Sequence, residues 1–96
     1  MNHIVNIALQ VIPRSSQHGT YELVDKAIEV IKKSGIKFKV CPFETVMEGK
    51  YDEIMQVIKN VHEVLYANGT EGMLTYIKIQ TANKDVTISD KMEKYE

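Results

Sequence analysis

The residues best suited to chemistry cluster around "VCPFETVMEGKYDEIM", residues 40–55. There a hydroxyl (Thr45), a carboxylate (Glu48) and a glycine (Gly49) crowd the approach to an acidic helix start. Elsewhere the reactive inventory is thin. Cys41 is a lone thiol in a strand-like run and is equally a small strand hydrophobe. His3, His18 and His62 are scattered, and no two have metal-ligand spacing on one element. "HEVLY" at 62–66 lacks the second histidine of a zinc-protease helix. Ser15 and Ser16 have no evident base and read as polar loop residues. Arg14 stands in the first loop, where an arginine together with free amides would hold a phosphate.

Composition narrows the classes further. The 96 residues make one domain's worth of chain, with 44% apolar and 26% charged residues. A net charge of −1 supplies no overall field for nucleic acid or anionic lipid. One cysteine precludes an internal disulfide and suits a reducing compartment. "NIALQVIP" is too short to span a bilayer, and no secretory cleavage pattern follows it. The expectation is a single soluble, cytoplasmic domain over 1–96, with no cofactor, no metal, no nucleic-acid partner and no membrane partner.

These side chains are positioned by elements legible from periodicity. "HIVNIALQVIP" is β-branched and closed by Pro13, which predicts a strand over about 3–12. Val5, Ile7, Leu9 and Val11 form one apolar face; Ile4, Asn6, Ala8, Gln10 and Ile12 form a mixed one. Thr20 is the expected cap of a helix carrying Leu23, Val24, Ala27, Ile28 and Ile31, with Gly35 just past its end. "IKFKVCP" alternates as a half-buried strand, and "ETVMEG" follows as a short partner. Asp52 and Glu53 open a second helix carrying Ile54, Ile58, Val61 and Leu65, stopped by Asn68-Gly69. "GMLTYIKIQT" is the last strand. "TISDKMEKYE" reads as a short terminal helix capped by Thr87 or Ser89.

The order βαββαβ predicts an α+β, ferredoxin-like sandwich: a four-stranded antiparallel sheet with both helices on one face. The other face would carry Ile4, Ala8, Ile12, Cys41, Leu74 and Tyr76 beside Asn6, Gln10, Lys39 and Lys78, and is expected to meet another subunit. Several functions use this scaffold, so the fold alone selects none. RNA recognition requires stacking aromatics, absent from the first strand. A metal carrier requires paired thiolates, and Cys41 is single. An acylphosphatase-like hydrolase centred on Arg14 is a rival, although "PRSSQHGT" has only one glycine and the second strand lacks a water-placing asparagine.

At "ALQVIP", "KSGIKFKVCPFETVMEG" and "YIKI" the chain resembles the thiamine-binding protein family, collinearly from about Ile4 to Lys91. The most specific element is T-x-x-E-G, here Thr45, Glu48 and Gly49. The resemblance implies non-catalytic binding of thiamine or its hydroxymethylpyrimidine moiety, and assembly into dimers or tetramers through the sheets. "RSSQHG", with Arg14 and His18, departs from the glycine- and serine-rich first loop of such proteins and bears on ligand choice.

An aminopyrimidine offers an amine donor, ring-nitrogen acceptors and two flat faces. Its pocket needs a carboxylate or amide oxygen, a hydroxyl or amide donor, and an apolar or aromatic wall. On the resemblance, Thr45 and Glu48 supply the polar part, and Phe43, Tyr21, Tyr51 or Tyr76 the stacking surface. Gln10 and Asn6 are further candidates, being polar in an aliphatic strand, with Ser16 and Thr75 added on position. Each has a plainer role: Glu48 at the positive end of a helix, Thr45 as a strand former, Gly49 in a tight turn, the aromatics as core or interface fillers.

Overall fold

Alternation in the first strand decides which side of the sheet is covered. In the computed structural model, which describes residues 2–95, β1 (Ile4–Arg14) turns Val5, Ile7 and Leu9 into the core and leaves Ala8, Gln10 and Ile12 on the other side. Helix α1 (Thr20–Lys33) buries Leu23, Ala27 and Ile31 against that core. Strands β2 (Lys37–Val40) and β3 (Thr45–Lys50) form the hairpin, and α2 (Tyr51–Ala67) buries Ile54, Val57, Ile58, Val61 and Leu65. Strand β4 (Gly72–Gln80) follows, then a short helix α3 (Ile88–Met92) and a single 3-10 turn, Glu93–Tyr95.

The sheet order is β2-β3-β1-β4, with every neighbouring pair antiparallel. Both helices pack on the Val5–Ile7–Leu9 side, so the fold is the ferredoxin-like α+β sandwich that the periodicities imply. Each buried Leu or Ile contributes about 1.5–3 kcal/mol, which makes this single two-layer core the main source of stability.

Local differences from expectation have physical causes. Pro13 does not end β1; it lies opposite Met73, and the strand continues to Arg14 opposite Gly72. Arg14 O accepts from Glu71 N on the β4 side. Neighbouring residues alternate, so the missing Pro13 N–H lies on the other side, where β3 has already ended at the Leu9–Thr45 pair. A proline is tolerated at such a locally unpaired edge. Thr20 is not the cap of α1: Gly19 holds that position, and the Thr20 hydroxyl donates to Pro13 O at 3.4 Å. Gly35 and Gly69 end α1 and α2 with φ of +79° and +99°, a region that favours glycine. Gly49 makes no turn; it sits inside β3 opposite Val5.

The C-terminal segment beyond β4 crosses back over the otherwise open face. Val86 N donates to Ile4 O (2.9 Å), Ile4 N donates to Asp85 Oδ1 (2.8 Å), and Val86 is buried. Thr87 caps α3, its Oγ1 accepting from Asp90 N at 3.1 Å, as its sequence position implies. The rest of that face stays open, with Leu74 59% and Tyr76 54% exposed. Cys41 lies just beyond β2, in the hairpin connection, where its N donates to Glu44 O at 2.8 Å.

Candidate functional site

Strand register sorts the candidate residues into two groups on opposite sides of the sheet. Thr45 and Glu48 do not converge. They are three apart in a strand of period two, and β3 runs straight through Gly49 to Lys50 before the chain turns. Thr45 pairs with Leu9 and Val40 and is buried on the helix side. Glu48 pairs with Asn6 and Lys37 on the opposite side. The shared corner expected for these two residues is therefore corrected by the register.

On the partly open side, cross-strand rows can be read directly. One row is Lys37–Glu48–Asn6–Gln80, the next is Lys39–Val46–Ala8–Lys78, and beyond them lies the pair Gln10–Tyr76. Asn6 and Glu48 are thus neighbours, separated by one inter-strand spacing of about 4.8 Å between backbones. Glu48 Oε1 accepts from Ile88 N at 2.7 Å, and its Oε2 lies 3.4 Å from Lys37 Nζ. Asn6 is 4% exposed, and its Nδ2 donates to Val86 O at 2.9 Å. Its Oδ1 is buried with no partner among the described residues. An unsatisfied buried acceptor costs about 1–3 kcal/mol, so this position is a poor choice for stability alone.

A cavity of about 290 Å³ opens beside Asn6, between the C-terminal segment and the sheet; Glu48, one strand over, does not line it. Ala8 and Val46 line it together with Asn6, Lys78, Glu44 and Lys91. Lys78 Nζ is 2.9 Å from Glu44 Oε1, and Lys91 Nζ donates to Gln80 Oε1 at 2.7 Å. A larger groove of about 550 Å³ separates α1 from α2, but its walls are surface residues such as Lys26, Glu29 and Glu63, and it contains none of the candidates. The sheet-side cavity is smaller yet has a convergent polar set, an apolar floor and a buried orphan acceptor. These features mark a small-molecule site better than volume does.

The remaining candidates lie elsewhere. Phe43 is 80% exposed in the hairpin connection, beside a helix-side cavity of about 100 Å³ shared with Thr45, Val24 and Ile28. That volume is well below the roughly 300 Å³ of ordinary ligand pockets. Thr75 faces the helices, where its Oγ1 meets His62 Nε2 at 2.9 Å. Ser16 sits at the far end of β1, its N and Oγ both donating to Glu71 Oε2 at 2.6 Å. Those two bonds, the side-chain one foremost, hold the Glu71 carboxyl below its ordinary value of 4.5. Tyr21 is exposed on α1, Tyr51 packs against the core, and of these candidate tyrosines only Tyr76 lies on the same face of the sheet as Asn6.

Sequence reasoning missed Lys91, Val86 O and Ile88 N. Two of these are backbone groups, and nothing in a sequence pattern marks where a terminal segment will land. The first loop also differs from a phosphate cradle. Ser15 Oγ accepts from Gln17 N and His18 N, and Glu71 takes Ser16 N, so these three amides are already engaged. Among the described residues there is no metal-binding group of three His, Cys, Asp or Glu, and no helix long and apolar enough to cross a membrane.

The sheet order and helix placement define a ferredoxin-like α+β protein with a polar cluster on its non-helical face. Its sequence matches the thiamine-binding protein family profile over residues 7–96, and the chain belongs to that family. It is 38% identical over 90 residues to a UPF0045 protein of Clostridium perfringens, covering 94% of this chain and 95% of that protein. A UPF0045 protein of Methanocaldococcus jannaschii is 31% identical over 86 residues, covering 88% and 85%. Among solved structures, a domain of unknown function from Bacillus cereus superposes with a TM-score of 0.96 at 35% identity, covering all of this chain and 93% of that one. A Thermotoga maritima protein, provisionally described as acting in thiamine biosynthesis or salvage, superposes with a TM-score of 0.88 at 29% identity, covering 97% and 99%.

Proposed function

We propose that this protein binds thiamine or its hydroxymethylpyrimidine moiety without catalysis, as a cytoplasmic, homo-oligomeric carrier, buffer or sensor. The observation that carries the site assignment is the Asn6–Glu48 pair beneath the C-terminal segment. It combines a donor (Asn6 Nδ2), a carboxylate and a buried acceptor without a partner (Asn6 Oδ1). That set complements the amine and ring nitrogens of an aminopyrimidine. Ala8 and Val46 offer the flat apolar floor, and Gln10 and Tyr76 border it one row further on. Thr45, Phe43, Ser16 and Thr75 are left outside this site by their positions.

A ligand must displace Val86 O and Ile88 N, or slip beside them, to reach both residues. The C-terminal segment is therefore a movable wall of the site in this reading. Self-association through the open face is supported by the exposed Ile12, Leu74 and Tyr76. The same surface favours a second reading, an oligomeric scaffold with no ligand. The acylphosphatase-like reading loses support because the Ser16, Gln17 and His18 amides are already hydrogen-bonded.

Calorimetric titration with thiamine and hydroxymethylpyrimidine distinguishes binder from scaffold. Saturable binding that weakens about tenfold in Glu48→Gln supports the site, that factor being the loss of one buried hydrogen-bond partner. Absence of heat and of thermal shift at millimolar ligand would favour the scaffold.

A further inference from the structure

The charges of the molecule are unevenly distributed. The whole chain carries −1, yet the non-helical side of the sheet and its hairpin hold five cations, Arg14, Lys37, Lys39, Lys50 and Lys78, against the two carboxylates Glu44 and Glu48. The C-terminal segment crossing that side adds Lys84, Lys91 and Lys94 against Asp85, Asp90 and Glu93, which leaves a net of +3. The excess acid lies on the helices and the loops. Two of these cations line the 290 Å³ cavity itself: Lys78 from the sheet and Lys91 from α3 above it. Lys39 ends the same cross-strand row as Lys78, with Val46 and Ala8 between them. That row spans three inter-strand gaps, about 14 Å, enough for a ring on the apolar middle and a charged substituent at one end.

Pairing does not neutralise this surplus. Lys91 Nζ meets the neutral amide oxygen of Gln80, and Lys78 shares the one acidic side chain at the cavity rim, Glu44. A site built only for thiamine, whose thiazolium is itself cationic, gains nothing from two ammonium groups at its rim. A phosphate ester gains charge-assisted hydrogen bonds from both.

We propose that the preferred ligand of this cavity is a phosphorylated amino-heterocycle, the phosphate ester of the hydroxymethylpyrimidine or of thiamine, with Lys78 and Lys91 holding the phosphate and Asn6 the ring. This rests on the pyrimidine-binding reading above and adds the form in which the pyrimidine is taken. The occupied state is one in which the phosphate competes with Glu44 for Lys78 and with Gln80 for Lys91.

The test is a calorimetric series on the whole chain with hydroxymethylpyrimidine, its phosphate ester, thiamine, thiamine diphosphate and inorganic phosphate. The ester should bind about tenfold or more tightly than the parent alcohol, and thiamine diphosphate more tightly than thiamine, both advantages shrinking in about 0.5 M salt. In the Lys78→Gln, Lys91→Gln double variant the ester-to-alcohol affinity ratio should collapse toward one, while Lys33→Gln on the helix side leaves that ratio unchanged. If the alcohol binds and the ester binds no more tightly, this inference is wrong and the pyrimidine reading stands. If inorganic phosphate binds as tightly as the ester, the ring contributes nothing and the inference is also wrong. If nothing in the series binds, the pyrimidine reading falls and takes this one with it.

Discussion

A buried acceptor without a donor is the residue-scale feature that most needs a reason. Asn6 could be replaced by an apolar residue at little loss of stability, because the bond from Nδ2 to Val86 O is offset by the unpaired Oδ1. Asn6→Ala is therefore expected to change unfolding free energy by only about 1 kcal/mol, while lowering pyrimidine affinity roughly tenfold. Denaturant melts and titrations on the same preparation check both halves; a large stability loss with unchanged affinity would make Asn6 a structural residue. At the other end of β1, Glu71 is held below the ordinary carboxylate range by Ser16. A depressed folded-state value means that this group's contribution is present above the unfolded value and fades as pH falls through the folded one. Thermal melts of wild type and Ser16→Ala should differ at neutral pH, and the difference should close at pH values below the ordinary carboxylate range. At this scale the sequence exposed Asn6 and Gln10 as polar intrusions in an aliphatic strand, and Glu48 through the T-x-x-E-G resemblance. It could not show that Glu48 and Thr45 part company, because that depends on β3 continuing through Gly49 instead of bending there.

Among the elements, the C-terminal segment is the one whose position most affects the proposed site. It is held by backbone and side-chain hydrogen bonds, but Val86 is its only buried side chain among the described residues. Such a unit has little apolar anchorage and should open independently of the core. Val86→Ala should cost about 1–2 kcal/mol of local stability. Hydrogen exchange should show it as faster loss of protection at Val86 and Ile88, with Ile7 and Val61 unaffected. Equal acceleration throughout would mean that the segment is part of the global folding unit. The helix and strand assignments were legible because Leu23, Ala27 and Ile31, or Val5, Ile7 and Leu9, repeat at the right period. The terminal helix was legible through its Thr87 cap. Its docking on the sheet was not, since Val86 N, Val86 O and Ile88 N are backbone atoms that any sequence supplies. Pro13 misled in the same way: its effect depends on which side of β1 its absent N–H faces, a property of register and not of composition.

For the whole molecule the two sides of the sheet set the behaviour. The helical side carries the apolar core, and the other side keeps Ile12, Leu74 and Tyr76 in water beside a cationic field. Contact with a second copy would remove that apolar surface. Light scattering should give at least a dimer for the wild type, and Leu74→Lys should shift it toward monomer with little change in far-ultraviolet dichroism. A monomeric wild type at high concentration would contradict the covered-face reading. The direct test of the central claim is amide chemical-shift mapping during titration with hydroxymethylpyrimidine. The prediction is saturable shifts concentrated at Asn6, Ala8, Glu48 and Ile88. Saturable shifts confined to Phe43–Thr45 or to the groove between α1 and α2, or no saturable shifts at all, would contradict it.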